Sequence, residues 1–206
     1  TGHCMDADGI KSLLQWSRQC DINLIIDESF LDFADAENLS LLSEQVLKEN
    51  KNLYVVKSIS KSYGVPGIRL GILASGNTDM IGRLKKDVSI WNINSMAEFF
   101  MQILDKYKSD YTDSLRKIKE ERSRFLIELC AIKNLKVYPS QANYFMCEIL
   151  DGISSEELAG RLLKENILIK DLTGKIHNGK QYIRIAIRGE EENRILVEKL
   201  KVCMKQ

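Results

Sequence analysis

The chain has 206 residues, with 30 Lys+Arg against 29 Asp+Glu for a formal charge of +1, and 44% of its residues are hydrophobic. At roughly 150 residues per domain this is one or two domains, long enough to bury about 70% of the unfolded surface without a disulfide or metal staple. The balanced charge excludes the clustered basic excess of a nucleic-acid binder, and no stretch reaches the roughly 18 apolar residues of a membrane span. Five cysteines (Cys4, Cys20, Cys130, Cys147, Cys203) are an odd number with no Cys-x-x-Cys spacing. Reduced thiols in a cytoplasmic protein are therefore expected, not a disulfide framework or a zinc ribbon. With His3 and His177 as the two histidines, a His-x-x-x-His metal site is excluded.

Residues 8–20 place Ile10, Leu13 and Leu14 on one helical face. NLIID follows, an apolar run ending at Asp27 that reads as a buried strand. Residues 39–49 repeat the helical pattern, and LYVVKSIS, rich in β-branched and aromatic residues, reads as a second strand running to Lys61. Strand, helix and strand make a βαβ unit, so the two strands are expected to be parallel. IRLGILA at 68–74 suggests another strand. From Ser95 to Asn134 the pattern is helical, with one stripe through Met96, Phe99, Phe100, Ile103, Leu104 and Tyr107 and another through Leu115, Ile118, Phe125, Leu126 and Leu129. The run exceeds the usual helix length, and a break is expected at Ser109-Asp110. Short strands at 135–138 and 143–149, a helix at 155–165, strands at 167–170 and 181–187 and a helix from 190 complete the chain. An α/β half over 1–108 and a smaller α+β half over 109–206 are the expected domains.

Ligands of parallel sheets bind beyond the carboxyl ends of the strands. Asp27 and Lys61 both fall at such ends, one βαβ unit apart, so they can serve one crevice. Around Lys61 stand the hydroxyls of Ser58 and Ser60, then Gly67 and Arg69. An arginine fork beside hydroxyls and a small residue suits a phosphate. A lysine near other cations has a lowered pKa and acts as a Schiff-base nucleophile, and a carboxylate such as Asp27 pairs with a pyridinium nitrogen. Taken one at a time, Asp27 also reads as a turn residue, Lys61 as surface charge, and Ser58 and Ser60 as partners of local backbone.

SISKSYGVPGIRLG resembles the lysine segment of fold-type-I aminotransferases dependent on pyridoxal 5′-phosphate. DESF is similar to their Asp-Glu-x-Tyr/Phe motif, SQANYF to the strand opening their small domain, and YIRIAIRGEEEN to their carboxyl-terminal segment. WNINSMAEF resembles the histidinol-phosphate aminotransferase and threonine-phosphate decarboxylase subgroup. The resemblance implies the C-terminal part of a large cofactor domain, a mostly parallel sheet with helices, followed by a smaller α+β domain. It implies that Lys61 forms the Schiff base and then shuttles a proton at the substrate Cα, and that Asp27 binds the ring nitrogen. By the same resemblance Ser58, Ser60 and Arg69 bind the phosphate, Arg184 the substrate carboxylate, and Lys170 and Asn143 the substrate. The expected partners are an amino donor, a 2-oxo acid acceptor and a second copy of the chain in a homodimer.

Three departures qualify the resemblance. Phe30 stands where aminotransferases of the group carry a tyrosine, so the phenol that bonds the cofactor is lacking; decarboxylase-like members tolerate the change. Lys170 replaces a common arginine, a point charge for a bidentate fork. Thr1-Gly2 resembles the tail of an Asn-Pro-x-x-Pro-Thr-Gly motif, so the chain is expected to be a fragment, inactive alone, of a longer enzyme. Transamination is the leading expectation, with decarboxylation of a phosphorylated amino acid on the same scaffold as its alternative. A non-catalytic binding module is a further one, disfavoured because Lys61 is retained.

Overall fold

The computed structural model describes residues 1–204. The chain divides into two compact units, one of Met5–Asp113 and one of Thr1–Cys4 with Ser114–Gln206.

The Met5–Asp113 unit opens with helix α1 (Ala7–Gln19), whose first turn is capped by the Asp6 carboxylate accepting from the Gly9 N–H at 2.8 Å. Strand β1 (Leu24–Asp27) follows where expected but is not buried, its residues alternating half-buried and exposed with Ile25 70% exposed. Helix α2 spans Glu44–Glu49, shorter than the apolar pattern over 39–49 suggested. The cause is Glu28, a buried carboxylate that accepts from the Leu41 N–H at 2.6 Å and from the Ser40 hydroxyl at 2.7 Å. These bonds hold 40–41 outside the helix, and Ser43 caps it by accepting from the Val46 N–H. Strand β2 (Leu53–Ser58) lies parallel to β1, with Asp27 opposite Val56. The one-turn helix α3 (Ile59–Ser62) carries Lys61 directly off the end of β2. Leu41, Leu53 and Val55 form the core here, with Ile10, Leu14, Leu24 and Ile26 packed on it.

Strand β3 (Gly71–Ala74) begins later than 68 because Pro66–Ile68 forms a 3-10 turn and Arg69 is left-handed, at φ 52°. It pairs antiparallel with β2, so the three-stranded sheet, ordered β1-β2-β3, is mixed. Helix α4 (Thr78–Asp87), capped by Asn77 on the Met80 N–H, was not legible as a separate element. Helix α5 (Ser95–Ile103) passes through a 3-10 turn at Leu104–Tyr107 into α6 (Lys108–Cys130), so the break falls before Ser109-Asp110. The α5 stripe is not core: Met96 is 68% and Phe99 56% exposed, and Ala97 is the buried residue of the helix.

In the other unit, strands β4 (Leu135–Val137), β5 (Tyr144–Ile149), β6 (Lys170–Asp171) and β7 (Gln181–Ala186) form an antiparallel sheet in the order β4-β5-β7-β6. Helices α7 (Ser155–Lys164) and α8 (Glu190–Cys203) and the second half of α6 supply its packing. Alternation decides the faces. Phe145, Cys147, Ile149, Ile183, Ile185 and Ile187 point into a core shared with Phe125, Leu129, Leu158, Leu162, Leu196 and Leu200. Met146 and Tyr182 point the other way, into a small cluster with Leu172. Thr1–Cys4 belong to this unit: the Gln141 N–H donates to the Gly2 carbonyl at 2.8 Å. Gly2 sits at φ +83°, and a Cβ there would lie 2.1 Å from the Ser140 Oγ, so only glycine fits.

Among the described residues no helix is long and apolar enough to cross a membrane, and no cluster of His, Cys, Asp and Glu could hold a metal ion.

Candidate active site

Four charged or hydroxyl groups gather at one end of the mixed sheet. Asp27 ends β1, Ser58 ends β2, Lys61 follows on α3, and Arg69 lies two residues before Gly71, the β3 partner of Ser58. Ser29 ties this end together. Its N–H donates to the Asp27 carboxylate at 2.8 Å, its hydroxyl accepts from the Ser58 N–H at 2.9 Å, and its carbonyl accepts from the Ser62 hydroxyl at 3.2 Å. One buried residue thus spaces the acid strand from the lysine turn. Its position is the variable one of the Asp-Glu-x-Phe segment, so no local pattern pointed to it.

The Lys61 amine is exposed, stands 5.1 Å from the centroid of the Phe30 ring, and has no carboxylate partner among the described residues. Asp27 and Arg69 are likewise exposed and outside any ion pair among those residues, the Arg69 fork reaching the Pro66 carbonyl at 3.2 Å. The αL conformation of Arg69 is held from two sides. Ser60 accepts from the Leu70 N–H at 2.9 Å and donates to the Leu70 carbonyl at 3.3 Å, and the Asn94 amide donates to the Ile68 carbonyl at 2.8 Å.

Ser60, expected at the phosphate, has its hydroxyl engaged with the Leu70 backbone. It is 2% exposed, and its hydroxyl is used in clamping the turn that carries Arg69. Ser58 is half-buried and its hydroxyl caps nothing in α3, leaving it as the serine with a side chain to offer.

Behind the lysine, Tyr63 stacks on Tyr111 with centroids 4.0 Å apart and meets the Phe100 ring edge-on at 5.9 Å. Tyr111 donates to Asp32 at 2.7 Å, and Asp32 also pairs with Lys57 at 2.5 Å on β2. Burial first, and the Asp32 carboxylate second, push both phenols above their ordinary pKa, so they stay protonated donors. This wall was not read from the sequence, because its members are far apart in the chain.

An aldehyde-bearing pyridine phosphate suits this donor set. The amine and the acid stand outside any ion pair among the described residues, Ser29 lies between their segments, and a hydroxyl and a guanidinium stand ready for a dianion.

The remaining expected residues lie in the other unit. Arg184 is exposed on β7, on the face opposite its core, 5.1 Å from the Tyr144 ring, and Lys170 faces it across the β6–β7 pair. Both line a concavity of about 760 Å³ with Lys175 and Asp171. Asn143 offers its backbone carbonyl to the Ile187 N–H at 2.9 Å, within the same unit.

Ser29→Ala is expected to cost about 1 kcal/mol, the low end of the range for leaving a donor without its acceptor, because the Ser58 N–H is half-buried. Chemical denaturation checks it; Ser29→Thr, which keeps the hydroxyl, should retain more of the stability.

Comparison with known proteins gives a consistent result. Residues 1–200 match the family described as aminotransferase class I and II. An L-serine phosphate decarboxylase of Campylobacter jejuni is 36% identical over 185 residues, covering 86% of this chain and 47% of the relative. A threonine-phosphate decarboxylase of Salmonella typhimurium is 30% identical over 203 residues, covering 98% of this chain and 54% of the relative. The crystal structure of histidinol-phosphate aminotransferase from Clostridium acetobutylicum superimposes with a TM-score of 0.89 at 30% identity, over 98% of this chain and 60% of that one. The chain thus spans about half the length of the curated relatives it matches. With a lysine, an acid, a serine and an arginine at one sheet end and a matching fold, this chain belongs to the class I and II aminotransferases, a family of enzymes dependent on pyridoxal 5′-phosphate.

Proposed function

We propose that the protein to which this chain belongs removes carbon dioxide from an amino acid bearing a phosphate group. The observation that carries this reading is the unpaired Lys61 amine set over Phe30, at the sheet end that also holds Asp27, Ser58 and Arg69. When bound, pyridoxal phosphate supplies an aldehyde and a protonated ring that withdraws electrons from the substrate Cα. The chain's own residues do the rest. Asp27 would hold the proton at the ring nitrogen, Ser58 and Arg69 would hold the phosphate, and Lys61 would deliver a proton to the Cα carbon from which carbon dioxide has left. Arg184 clasps a substrate anion through its fork, with Lys170 beside it as a point charge.

Two features favour decarboxylation over the transamination that the motifs alone put first. Phe30 presents a ring without a phenol beneath the lysine, and two of the similar proteins are named as decarboxylases of serine phosphate and threonine phosphate. The likeness to histidinol-phosphate aminotransferase supports transamination as a second reading. Incubation of the full-length enzyme with O-phospho-L-serine or O-phospho-L-threonine separates the two. The expected result is carbon dioxide release that needs no 2-oxo acid; amino transfer that depends on a 2-oxo acid and releases no gas would overturn decarboxylation.

A further inference from the structure

The β6–β7 pair contains a local violation of charge pairing. Lys170 and Arg184 are cross-strand partners, and like charges placed directly opposite destabilise a sheet. Neither is in an ion pair among the described residues, and a third cation, Lys175, lines the same concavity. The one acid there, Asp171, is committed elsewhere. Its carboxylate accepts from the Thr173 N–H at 2.9 Å and from the Thr173 hydroxyl at 2.7 Å. Rules broken without local compensation mark functional positions, and three exposed cations with no ion-pair partner among the described residues leave a positive surplus that suits an anion from outside.

Lys175 differs from its two companions in how it is placed. It rides on the connection between β6 and β7, which is held along its length. The Lys175 N–H donates to the Leu172 carbonyl at 2.9 Å, and the Leu172 N–H to the Tyr182 carbonyl at 3.0 Å. The Ser155 and Thr173 hydroxyls meet at 2.6 Å, and Ser155 donates from its N–H and its hydroxyl to the Gln181 amide oxygen at 2.9 Å. Further on, the Asn178 amide donates to the Tyr182 hydroxyl at 3.1 Å. The neighbouring Lys180 is no rival. It pairs at 2.8 Å with Glu148, whose carboxyl Lys180 and then Tyr138 hold below the usual range. The backbone that carries Lys175 is thus preformed, and only its exposed side chain remains to be ordered by a ligand.

We infer that Lys175 is a specificity-determining residue, the cation that lets the Lys170–Arg184 concavity take a tetrahedral dianion in addition to a carboxylate. A carboxylate satisfies the fork of Arg184, whereas a dianion needs the further charges. The inference rests on the phosphorylated-substrate reading above.

Calorimetric titration of the full-length protein with O-phospho-L-serine and with L-serine tests it. Lys175→Met is expected to weaken O-phospho-L-serine about tenfold, the loss of one charge-assisted bond, and to leave L-serine unchanged. Lys175→Arg should keep the preference, and Lys164→Met, on α7 outside the concavity, should alter neither ligand. If Lys175→Met retains the full preference for the phosphorylated ligand, or weakens both ligands equally, the role of Lys175 is overturned and the substrate reading stands. A wild-type protein that fails to prefer O-phospho-L-serine to L-serine would overturn the substrate reading itself.

Discussion

Lys61→Ala in the full-length enzyme is expected to lower kcat by about a thousandfold, in the middle of the range for losing a positioned proton carrier. Loss of the covalent anchor adds to this. The protein itself should fold normally. The Lys61 side chain is exposed, makes no ion pair among the described residues, and contributes to α3 through backbone bonds that alanine keeps. The cation over the Phe30 ring is a small term, about 0.5–1 kcal/mol at an exposed site. Lys61→Arg is the sharper probe. It preserves the positive charge and the contact with Phe30, but a guanidinium does not give up its proton at working pH. If charge alone were the contribution, the arginine variant would retain activity; the proposal requires it to be as inactive as the alanine variant. Borohydride reduction of the cofactor-loaded enzyme, followed by peptide mapping, gives a readout apart from turnover: the label should sit on the peptide bearing Lys61 and be absent from both variants. Undiminished turnover in Lys61→Ala would remove Lys61 from the chemistry, and undiminished biological function would favour a binding module.

What the sequence revealed and what it hid follow the range of the interactions involved. Asp27, Ser58, Lys61 and Arg69 stand in two short segments whose strand-end placement follows from periodicity and the parallel βαβ rule, so their gathering at one sheet end was legible. The partner of Ser60 was not, because the local-backbone reading did not point to Leu70, across a turn whose left-handed residue no local pattern announces. Glu28 hid in the same way. It sits inside a recognisable motif, yet its buried carboxylate shortens α2 by capturing the Leu41 N–H. Periodicity also told which residues of α5 share a stripe but not what that stripe meets, and Met96 and Phe99 turned out exposed. The attachment of Thr1–Cys4 to the later unit depends on a bond from Gly2 to Gln141, invisible to any reading of neighbours in the chain.

Phe145→Ala is expected to remove about 3–5 kcal/mol from the stability of the unit built on β4, β5, β6 and β7, the usual cost of truncating a fully buried phenylalanine. The side chain is wholly inaccessible and meets the Phe125 ring edge-on, with centroids 5.9 Å apart and planes at 65°. It is also opposite Ile185 on β7, so its truncation opens a void beneath the pair of strands that presents Arg184 on the other face. The size of the effect depends on whether α6 and α8 collapse into that void, and three neighbours argue against collapse: Leu129, Ile183 and Leu200 are themselves fully buried, so each is already engaged on its other sides. Phe145→Leu, which retains most of the volume, should cost less than half as much. Ile127→Ala, at a side chain 73% exposed on the outer face of α6, should stay within about 0.5 kcal/mol of the parent. Urea unfolding followed by far-ultraviolet circular dichroism ranks the three. A Phe145→Ala midpoint no lower than that of Ile127→Ala would mean that this core is not what holds β5 against β7. The support proposed for Arg184 would then have to come from the hydrogen-bonded ladder alone.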